Sequence, residues 1–283
     1  MKLLRYFDIK KNTNEIGILI NLTIYPLSRV LQTSPNNIEE LFSSPDWERL
    51  LNINLSKSLN SIPLEDVEFR SPIVRPGKIL CVGLNYRDHV LEGGREIPEF
   101  PTIFMKASSS VIGHQQPIEL PQGSNQVDLE AELAVVIGKP AKNIPAAQAY
   151  EHIAGYTILN DVSERDYQKR TSQWTMGKSC DTFSPIGPVL VTQEDIPDPH
   201  TLEITSSING YEIQHSNTKH LIFTVPYLIE YISAVMTLEP GDIISTGTPG
   251  GVGVFRNPPI FLKPGDTVEI SIEGIGTLCN SIK

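Results

Sequence analysis

Two glutamates, Glu130 and Glu132, are separated by a single residue within the apolar segment 127–138 (VDLEAELAVVIG). If this segment is a strand, alternate side chains point to one face and the two carboxylates lie side by side. Adjacent anions repel each other, and unpaired charge in a buried strand is very costly, so a bound cation is the simplest compensation. Ligands that are all oxygen favour Mg²⁺, Mn²⁺ or Ca²⁺ over zinc.

Asp161 is the third candidate ligand. It ends the apolar segment 154–161 and precedes the polar stretch Ser163-Glu164-Arg165-Asp166. Three carboxylates can hold one face of an octahedral ion and leave the other positions for water or a chelating substrate. In the alternative interpretation, Glu130 and Glu132 face solvent on an amphipathic strand and Asp161 caps a turn.

His89 and Glu92 are three residues apart, so one helical turn would place both side chains on the same side. A carboxylate beside an imidazole raises its basicity and fixes its tautomer, and the reference pKa of histidine, about 6.5, suits a general base. The alternative is a surface salt bridge on a short helix. Gly93-Gly94 follows directly and suits either a mobile lid or an ordinary turn.

Lys178 lies among small and apolar residues in the segment 174–181 (WTMGKSCD). A partly buried ammonium near a metal site can stabilise an enolate or an oxyanion. The alternative is a surface lysine whose charged end reaches solvent. The glycine-rich segment 247–253 (GTPGGVG) lacks the pattern of a phosphate loop, so we predict a flexible binding loop there.

The elements that position these residues are mostly strands. Residues 2–25 alternate short apolar runs with polar breaks and predict small strands, while Ser34-Pro35 and Ser44-Pro45 predict the starts of two short helices, over 38–42 and 47–55. The proline and glycine residues of 71–77 favour a domain boundary, which we place between residues 71 and 72. We therefore expect a small α+β domain over 1–71 and a larger domain over 72–283.

The larger domain is predicted to be mainly β. Strands are expected at 78–83, and after the Pro-Gly turns at 240–241 and 264–265. One clear helix follows Thr224, and its apolar face is predicted to contain Leu228, Ile229, Ile232, Val235 and Met236. The alternating pattern of a nucleotide-binding sheet does not occur.

Composition narrows the class of protein. The chain has 283 residues and a formal net charge of -10, with its 23 basic residues scattered, so we expect no nucleic-acid partner. Cys81, Cys180 and Cys279 form no disulfide framework, which is typical of a reducing compartment. No apolar stretch reaches the ~20 residues of a membrane helix and no signal peptide is recognisable, so we expect a cytoplasmic protein with no membrane partner.

Five separated segments resemble the fumarylacetoacetate hydrolase family in their order along the chain, from about residue 72 to the end. Within the family, the resemblance is closest to the subgroup called fumarylacetoacetate hydrolase domain-containing protein 2, through the segments 252–256 and 258–263. The matching positions are Gly83-Leu84-Asn85-Tyr86 with His89 and Glu92, then Glu130 and Glu132, the segment 160–166, Lys178 and Thr246-Gly247-Thr248-Pro249.

The resemblance implies an α+β, mainly β fold, a mixed β-roll with a small leading domain. It implies Mg²⁺ or Mn²⁺ on Glu130, Glu132 and Asp161, and a homodimer. It also implies that His89 and Glu92 form the base pair on a lid and that Lys178 contacts the developing negative oxygen. The positions implied to line the pocket are Lys106, Arg165, Gln168 and Thr248. Leu84 stands where several acylpyruvate-cleaving members carry arginine, so their substrate preference is not transferred.

The leading functional hypothesis is a Mg²⁺- or Mn²⁺-dependent hydrolase that cleaves a carbon–carbon bond in a small 2-oxo or 1,3-dicarbonyl acid and expels an enolate. The same charged centre can catalyse tautomerisation or decarboxylation of oxaloacetate, because those reactions also develop an enolate. A third hypothesis is a noncatalytic protein whose acidic cluster binds a structural cation.

Overall fold

The computed structural model describes residues 1–31, 35–53 and 60–283. The strands of the N-terminal part and of the first sheet region are β1 Lys2–Asp8, β2 Thr13–Ile20, β3 Thr23–Pro26, β4 Ile62–Pro63, β5 Val67–Arg70, β6 Ile79–Gly83, β7 Thr102–Lys106 and β8 Val111–Ile112. The remaining strands are β9 Val127–Asp128, β10 Ala131–Ile137, β11 Ile153–Asn160, β12 Ser163–Glu164, β13 Ser184–Thr192, β14 Glu203–Ile208, β15 Tyr211–Asn217, β16 Ile243–Ser245, β17 Thr267–Ile272 and β18 Gly276–Ser281.

The helices are short. They are α1 Leu27–Val30, α2 Glu39–Phe42, α3 Pro45–Leu51, α4 Arg87–Glu92, α5 Arg165–Lys169, α6 Thr175–Lys178 and α7 Val225–Val235. The fold is therefore mainly β with a few helices, as predicted.

One large sheet positions the candidate site. Its strand order is β4-β3-β2-β1-β13-β11-β10-β16-β6-β7, with β5 paired to β1 and β8 to β13. The pairs are antiparallel except β16 with β6 and β13 with β8. Every residue of β10 and β11 is buried, because helices, loops and a second sheet of order β15-β14-β17-β18 cover the two faces.

Two Pro-Gly turns lead into strands as predicted. Gly241 and Gly265 have φ values of 86° and 91°, a region that favours glycine, and they precede β16 and β17. The turn at 240–241 matters for the site because β16 carries Ser245, which reaches one of the candidate ligands.

The N-terminal residues extend the large sheet. β1 pairs with β13 through Lys2↔Val191 and Leu3↔Leu190. One apolar cluster combines N-terminal residues such as Leu3 and Leu41 with residues of the central strands. The predicted small strands are therefore present, and the division of the chain between residues 71 and 72 stays a prediction.

The helix predictions hold in part. Ser44 caps α3, since its Oγ accepts a hydrogen bond from the Asp46 N–H at 3.2 Å. This helix ends at Leu51 rather than at residue 55, and residues 54–59 lie outside the described residues, as does Ser34 of the other predicted cap.

Helix α7 begins after Thr224 as predicted, and Leu228, Ile229 and Ile232 are buried. The prediction was wrong for Val235, the last residue of the helix, which is 75% exposed although Ile232 and Ser233 of the same turn are buried. Met236 follows the helix in an extended conformation. Within the described part of the chain, no helix has the length and apolarity needed to span a membrane.

Candidate active site

The three predicted metal ligands meet where β10 begins and β11 ends. These strands are antiparallel with Ala131 opposite Asn160, so Glu130 comes just before one strand and Asp161 just after the other. The Asp161 N–H donates to the Glu130 carbonyl oxygen at 2.9 Å. Glu130, Glu132 and Asp161 each bring a carboxylate oxygen into a group whose members lie within 4.8 Å of one another.

All three carboxylates are buried, so the solvent-facing alternative is wrong. The segment 127–138 is not one continuous strand, however. β9 ends at Asp128, and β10 starts at Ala131. The intervening break places Asp128 against a different set of partners from those of Glu130 and Glu132.

Three basic side chains contact these acids. Lys178 Nζ lies 2.7 Å from both Glu130 Oε2 and Asp161 Oδ2, and Lys106 Nζ lies 2.6 Å from Asp161 Oδ1. Arg165 Nη1 lies 2.7 Å from Glu130 Oε1. Lys178 is only 2% exposed, so the interpretation as a surface lysine is wrong. Glu130 and Asp161 therefore contact buried cations while lying close to each other and to Glu132.

The environments of the two glutamates differ. Burial opposes ionisation of Glu130, but the charges of Lys178 and Arg165 outweigh it and hold its pKa well below the ordinary value. Burial and the negative charges of Asp161 and Glu130 together raise the pKa of Glu132 well above its ordinary value. In the described part of the chain no basic side chain forms an ion pair with Glu132, whose Oε2 accepts from Ser245 Oγ at 2.5 Å and from the Gly247 N–H at 3.1 Å.

The local charge favours a bound cation. The buried acids are Asp128, Glu130, Glu132 and Asp161, and the buried bases that pair with them are Lys106, Arg165 and Lys178. With all four acids ionised, the cluster would carry one more negative charge than these bases balance, and the raised pKa of Glu132 means that a proton or a cation is favoured where the three carboxylates converge. An all-oxygen donor set with surplus negative charge fits a hard divalent cation such as Mg²⁺ or Mn²⁺.

His89 and Glu92 form the predicted pair on α4. His89 Nδ1 and Glu92 Oε1 are 2.8 Å apart, and Glu92 Oε2 accepts a hydrogen bond from the Gly251 N–H at 2.7 Å. Because His89 also lines the cavity beside Glu130 and Glu132, the pair is more than a surface salt bridge. Hydrogen bonding at Nδ1 leaves Nε2 as the nitrogen available to exchange a proton with a bound molecule.

A cavity of about 270 Å³ connects these groups. Its lining combines apolar side chains with polar ones; the apolar ones include Val82, Leu84, Phe104, Trp174 and Phe255, and the polar ones include Glu130, Glu132, His89, Arg165 and Lys178. A small cavity lined by apolar side chains and a few converging polar groups is typical of a site for a small organic acid.

Three of the four residues predicted to line the pocket line the cavity of the structure. Arg165, Gln168 and Thr248 line the cavity. Arg165 Nη1 donates to Gln168 Oε1 at 3.0 Å, and Gln214 Nε2 donates to Thr248 Oγ1 at 2.8 Å. The side chain of Lys106 is fully buried; it donates to Asp161 Oδ1 and to the Val162 carbonyl oxygen and is not among the described residues that line the cavity, so its contact with substrate stays a prediction.

Sequence reasoning missed two features of the site. Asp128 binds Arg165 and was treated as part of a strand, although Asp128, Glu130 and Glu132 alternate and could have been considered together. Leu84 lines the cavity with a φ of 58°, a conformation uncommon for residues other than glycine.

A family model described as fumarylacetoacetate (FAA) hydrolase C-terminal matches residues 78–283, which include every candidate site residue. The chain belongs to the fumarylacetoacetate hydrolase family. This confirms the family resemblance of the motifs and the mainly β fold that it implied.

Similar proteins carry more than one activity in their names. A fumarylacetoacetate hydrolase domain-containing protein 2 homolog of Dictyostelium discoideum is 40% identical over all of this chain and 97% of its own. The human protein named oxaloacetate tautomerase FAHD2A, mitochondrial, is 47% identical over 81% of this chain and 73% of its own. Its name places it in mitochondria and does not support the cytoplasmic location expected from the sequence.

A solved structure from the same family was determined with a metal ion. It is the maleylpyruvate hydrolase of Sphingobium sp. SYK-6 in complex with manganese (II) ion and pyruvate. It is 30% identical, covers 100% of this chain and 98% of its own, and has a TM-score of 0.83. Members of this family are thus enzymes that act on small acids.

Proposed function

We propose that this protein is a Mg²⁺- or Mn²⁺-dependent enzyme that forms enolates of small 2-oxo acids, and that its reaction is the keto–enol tautomerisation of oxaloacetate. The observation that carries the proposal is the convergence of Glu130, Glu132 and Asp161 with the Lys178 ammonium and the His89–Glu92 pair around one small cavity. The more similar relatives, named oxaloacetate tautomerases, support tautomerisation over the carbon–carbon hydrolysis favoured by the sequence.

The metal would be held by Glu130, Glu132 and Asp161, whose excess negative charge it neutralises. When bound, such an ion acts as a Lewis acid that polarises the 2-oxo group and makes the adjacent C–H more acidic. The remaining chemistry belongs to the side chains of the cavity.

His89 is positioned as the general base. Glu92 accepts the Nδ1 proton, so Nε2 can remove a proton from the carbon next to the 2-oxo group of oxaloacetate. The electron pair of that C–H bond forms the carbon–carbon double bond, and negative charge moves to the former keto oxygen. The Lys178 ammonium stabilises that charge, and protonation of the oxygen then yields the enol. Arg165 and Gln168 bind a substrate carboxylate.

Carbon–carbon hydrolysis of an acylpyruvate is the second candidate, and the maleylpyruvate hydrolase structure supports it. In that reaction His89 and Glu92 would activate a water molecule that attacks the distal carbonyl, and the same Lys178 ammonium would stabilise the expelled enolate. Decarboxylation of oxaloacetate would use the same stabilisation. A noncatalytic cation-binding protein is disfavoured, because it requires neither a general base nor a buried lysine beside the cavity.

We further propose that the protein works as a homodimer with a small 2-oxo acid as its partner, and with no nucleic-acid or membrane partner. The dimer is what the resemblance of the sequence motifs to the family implies, and the formal net charge of -10 supports the exclusion of nucleic acid.

The test is an assay of the purified protein with Mg²⁺ and with Mn²⁺. Oxaloacetate enol is followed by its ultraviolet absorbance, decarboxylation by pyruvate formation, and hydrolysis with a panel of acylpyruvates. We expect tautomerisation to depend on the metal and to fall at least 100-fold in His89→Gln, the loss typical of a missing general base. Metal binding with none of the three reactions would overturn the proposal in favour of a structural cation site.

A further inference from the structure

The pair His89–Glu92 depends on a loop outside its own helix. In this loop, residues 251–255, the Gly251 N–H donates to Glu92 Oε2 at 2.7 Å. The ring of Phe255 lies against His89 with the ring centroids 6.0 Å apart. The loop therefore orients the carboxylate on one side and contacts the imidazole on the other.

A buried carboxylate binds two backbone N–H groups of this loop. Asp128 is 1% exposed; its Oδ1 accepts from the Gly253 N–H and its Oδ2 from the Val254 N–H, both at 3.0 Å. Oδ1 also accepts from the Leu129 N–H at 2.9 Å. Hydrogen bonds from backbone N–H groups to a buried carboxylate are strong because the acceptor is charged.

The same carboxylate also holds the guanidinium of Arg165, another residue that lines the cavity. Asp128 Oδ2 accepts from Arg165 Nη2 at 2.7 Å and from Arg165 Nε at 3.1 Å. Arg165 in turn contacts Glu130 and Gln168. Asp128 is therefore bonded both to a basic residue of the cavity and to the loop that orients the general base.

The two glycines of the loop allow no other arrangement. Gly251 has a φ of 101°, and a Cβ there would come 2.6 Å from the Ile213 carbonyl oxygen. A Cβ on Gly253 would collide with the Ile260 carbonyl oxygen and with Asp128 Oδ1. The backbone approaches Asp128 too closely for any side chain at residue 253.

We propose that Asp128 is a positioning residue for the enolisation: through residues 251–255 it orients Glu92 and His89, and through Arg165 it orients the substrate-binding guanidinium. This inference rests on the proposed function for its effect on catalysis. Its structural part, the control of the His89–Glu92 pair by Asp128, stands without that function.

The test variant is Asp128→Asn, which keeps the size of the side chain but replaces one acceptor oxygen with an NH₂ group. In either orientation of the amide, at least two of the five N–H groups that Asp128 satisfies lose their acceptor. The matched control is Asp242→Asn. Asp242 is also buried, accepts backbone N–H groups of Lys78 and Glu239, and pairs with the Lys78 ammonium, but it does not contact the cavity.

Three measurements on the full chain separate positioning from mere stability. Hydrogen–deuterium exchange in residues 251–255 and 87–92 should become at least tenfold faster in Asp128→Asn and remain unchanged in Asp242→Asn. The ¹⁵N chemical shifts of the His89 ring, assigned by comparison with His89→Gln, should change in Asp128→Asn from the values of one tautomer to those of a mixture of both tautomers. With saturating Mn²⁺, kcat for oxaloacetate should fall at least tenfold in Asp128→Asn and stay within twofold in Asp242→Asn.

Gly253→Ala provides a second perturbation, because its Cβ would push the loop away from Asp128 while the charge of Asp128 and the Arg165 side chain are retained. It should reproduce the faster exchange and the tautomer mixture. The inference is overturned if either variant folds and leaves exchange and the His89 tautomer as in the wild type, or if Asp242→Asn lowers kcat as much as Asp128→Asn. If the wild type shows no turnover, the proposed function fails, and exchange and the ring shifts alone decide the inference.

Discussion

Replacing Lys178 with methionine should change metal affinity and catalysis in opposite directions. The side chain is buried, and its Nζ lies 2.7 Å from both Glu130 and Asp161. Methionine keeps the length and the apolar contacts of the lysine and removes its charge. The variant therefore tests whether the ammonium acts on the reaction or only balances the acids.

The magnitudes follow from the charges around Lys178. An ammonium and a divalent ion that share these carboxylates repel each other. At ~4 Å and an effective dielectric constant of about 20, each unit charge on the ion contributes about 4 kcal/mol. Relaxation of the protein and solvent removes most of this repulsion. We therefore expect Mn²⁺ to bind Lys178→Met about tenfold more tightly than it binds the wild type. Loss of a preorganised charge at the developing oxyanion lowers kcat by about 10²- to 10³-fold, or about 2.7–4 kcal/mol.

The assay pairs Mn²⁺ titration calorimetry with the kinetics of oxaloacetate tautomerisation at saturating Mn²⁺. The matched control is Lys106→Met. Lys106 Nζ contacts Asp161 at 2.6 Å but is not among the described residues that line the cavity. The Lys106→Met variant should also bind Mn²⁺ more tightly, because it too loses a positive charge next to the candidate ligands. Its kcat should fall less than tenfold.

The metal-free Lys178→Met protein should unfold more easily, since removing one partner of a buried ion pair costs about 3–5 kcal/mol. Added Mn²⁺ should restore most of the lost thermal stability. Weaker Mn²⁺ binding in Lys178→Met would refute the assignment of the acids as metal ligands. An equal loss of kcat in Lys106→Met would refute direct action of the Lys178 ammonium.

Three further predictions concern single groups. Glu132→Gln should weaken Mn²⁺ binding about 100-fold. Because burial and two neighbouring carboxylates raise the pKa of Glu132, the metal-free wild type loses stability as the pH rises above the ordinary value of 4.5. The Tm advantage of the Gln variant in EDTA should therefore grow between about pH 5 and about pH 9. Burial lowers the pKa of His114 from 6.5 to about 4, so the unfolded chain binds its proton first and stability falls as the pH drops across that interval. His114→Gln should show a shallower acid-side decline of Tm, by an amount equivalent to at most about 3 kcal/mol. Ser44→Ala removes the cap that accepts the Asp46 N–H and should lower the free energy of unfolding by about 1 kcal/mol in urea titrations, with unchanged activity.

Local patterns predicted the individual strands well. The apolar runs of β6, β10 and β11 and the Pro-Gly turns before β16 and β17 depend on neighbouring residues alone, which a sequence displays directly. The pairing of β1 with β13 joins residues almost two hundred positions apart, through Lys2↔Val191. No local signal specifies such a pairing, so the sequence could not show that β1 joins the sheet of the central strands.

The convergence of the three candidate metal ligands was predictable because their positions follow from strand geometry. Alternation places Glu130 and Glu132 on one side, and Asp161 ends a strand that proves to be the neighbour of β10. The pocket-lining prediction for Lys106 was less secure, because a lysine can approach a carboxylate from the cavity or from behind it. Only the packing of β7 against β6 decides between these positions.

Whether an isolated pair of glutamates binds a metal depends on the cations that surround it, and these come from distant parts of the chain. Lys106 lies on β7, Arg165 begins α5 and Lys178 ends α6. Had a fourth base contacted Glu132, the buried charges would balance and the acids would form a closed ion-pair network. Among the described residues its carboxylate is instead hydrogen-bonded only to Ser245 and the Gly247 N–H, and burial beside two carboxylates raises its pKa well above the ordinary value. The proposed divalent cation would replace the proton that this pKa favours, and a buried acid without a basic partner is what distinguishes a candidate metal centre from a closed ion-pair network.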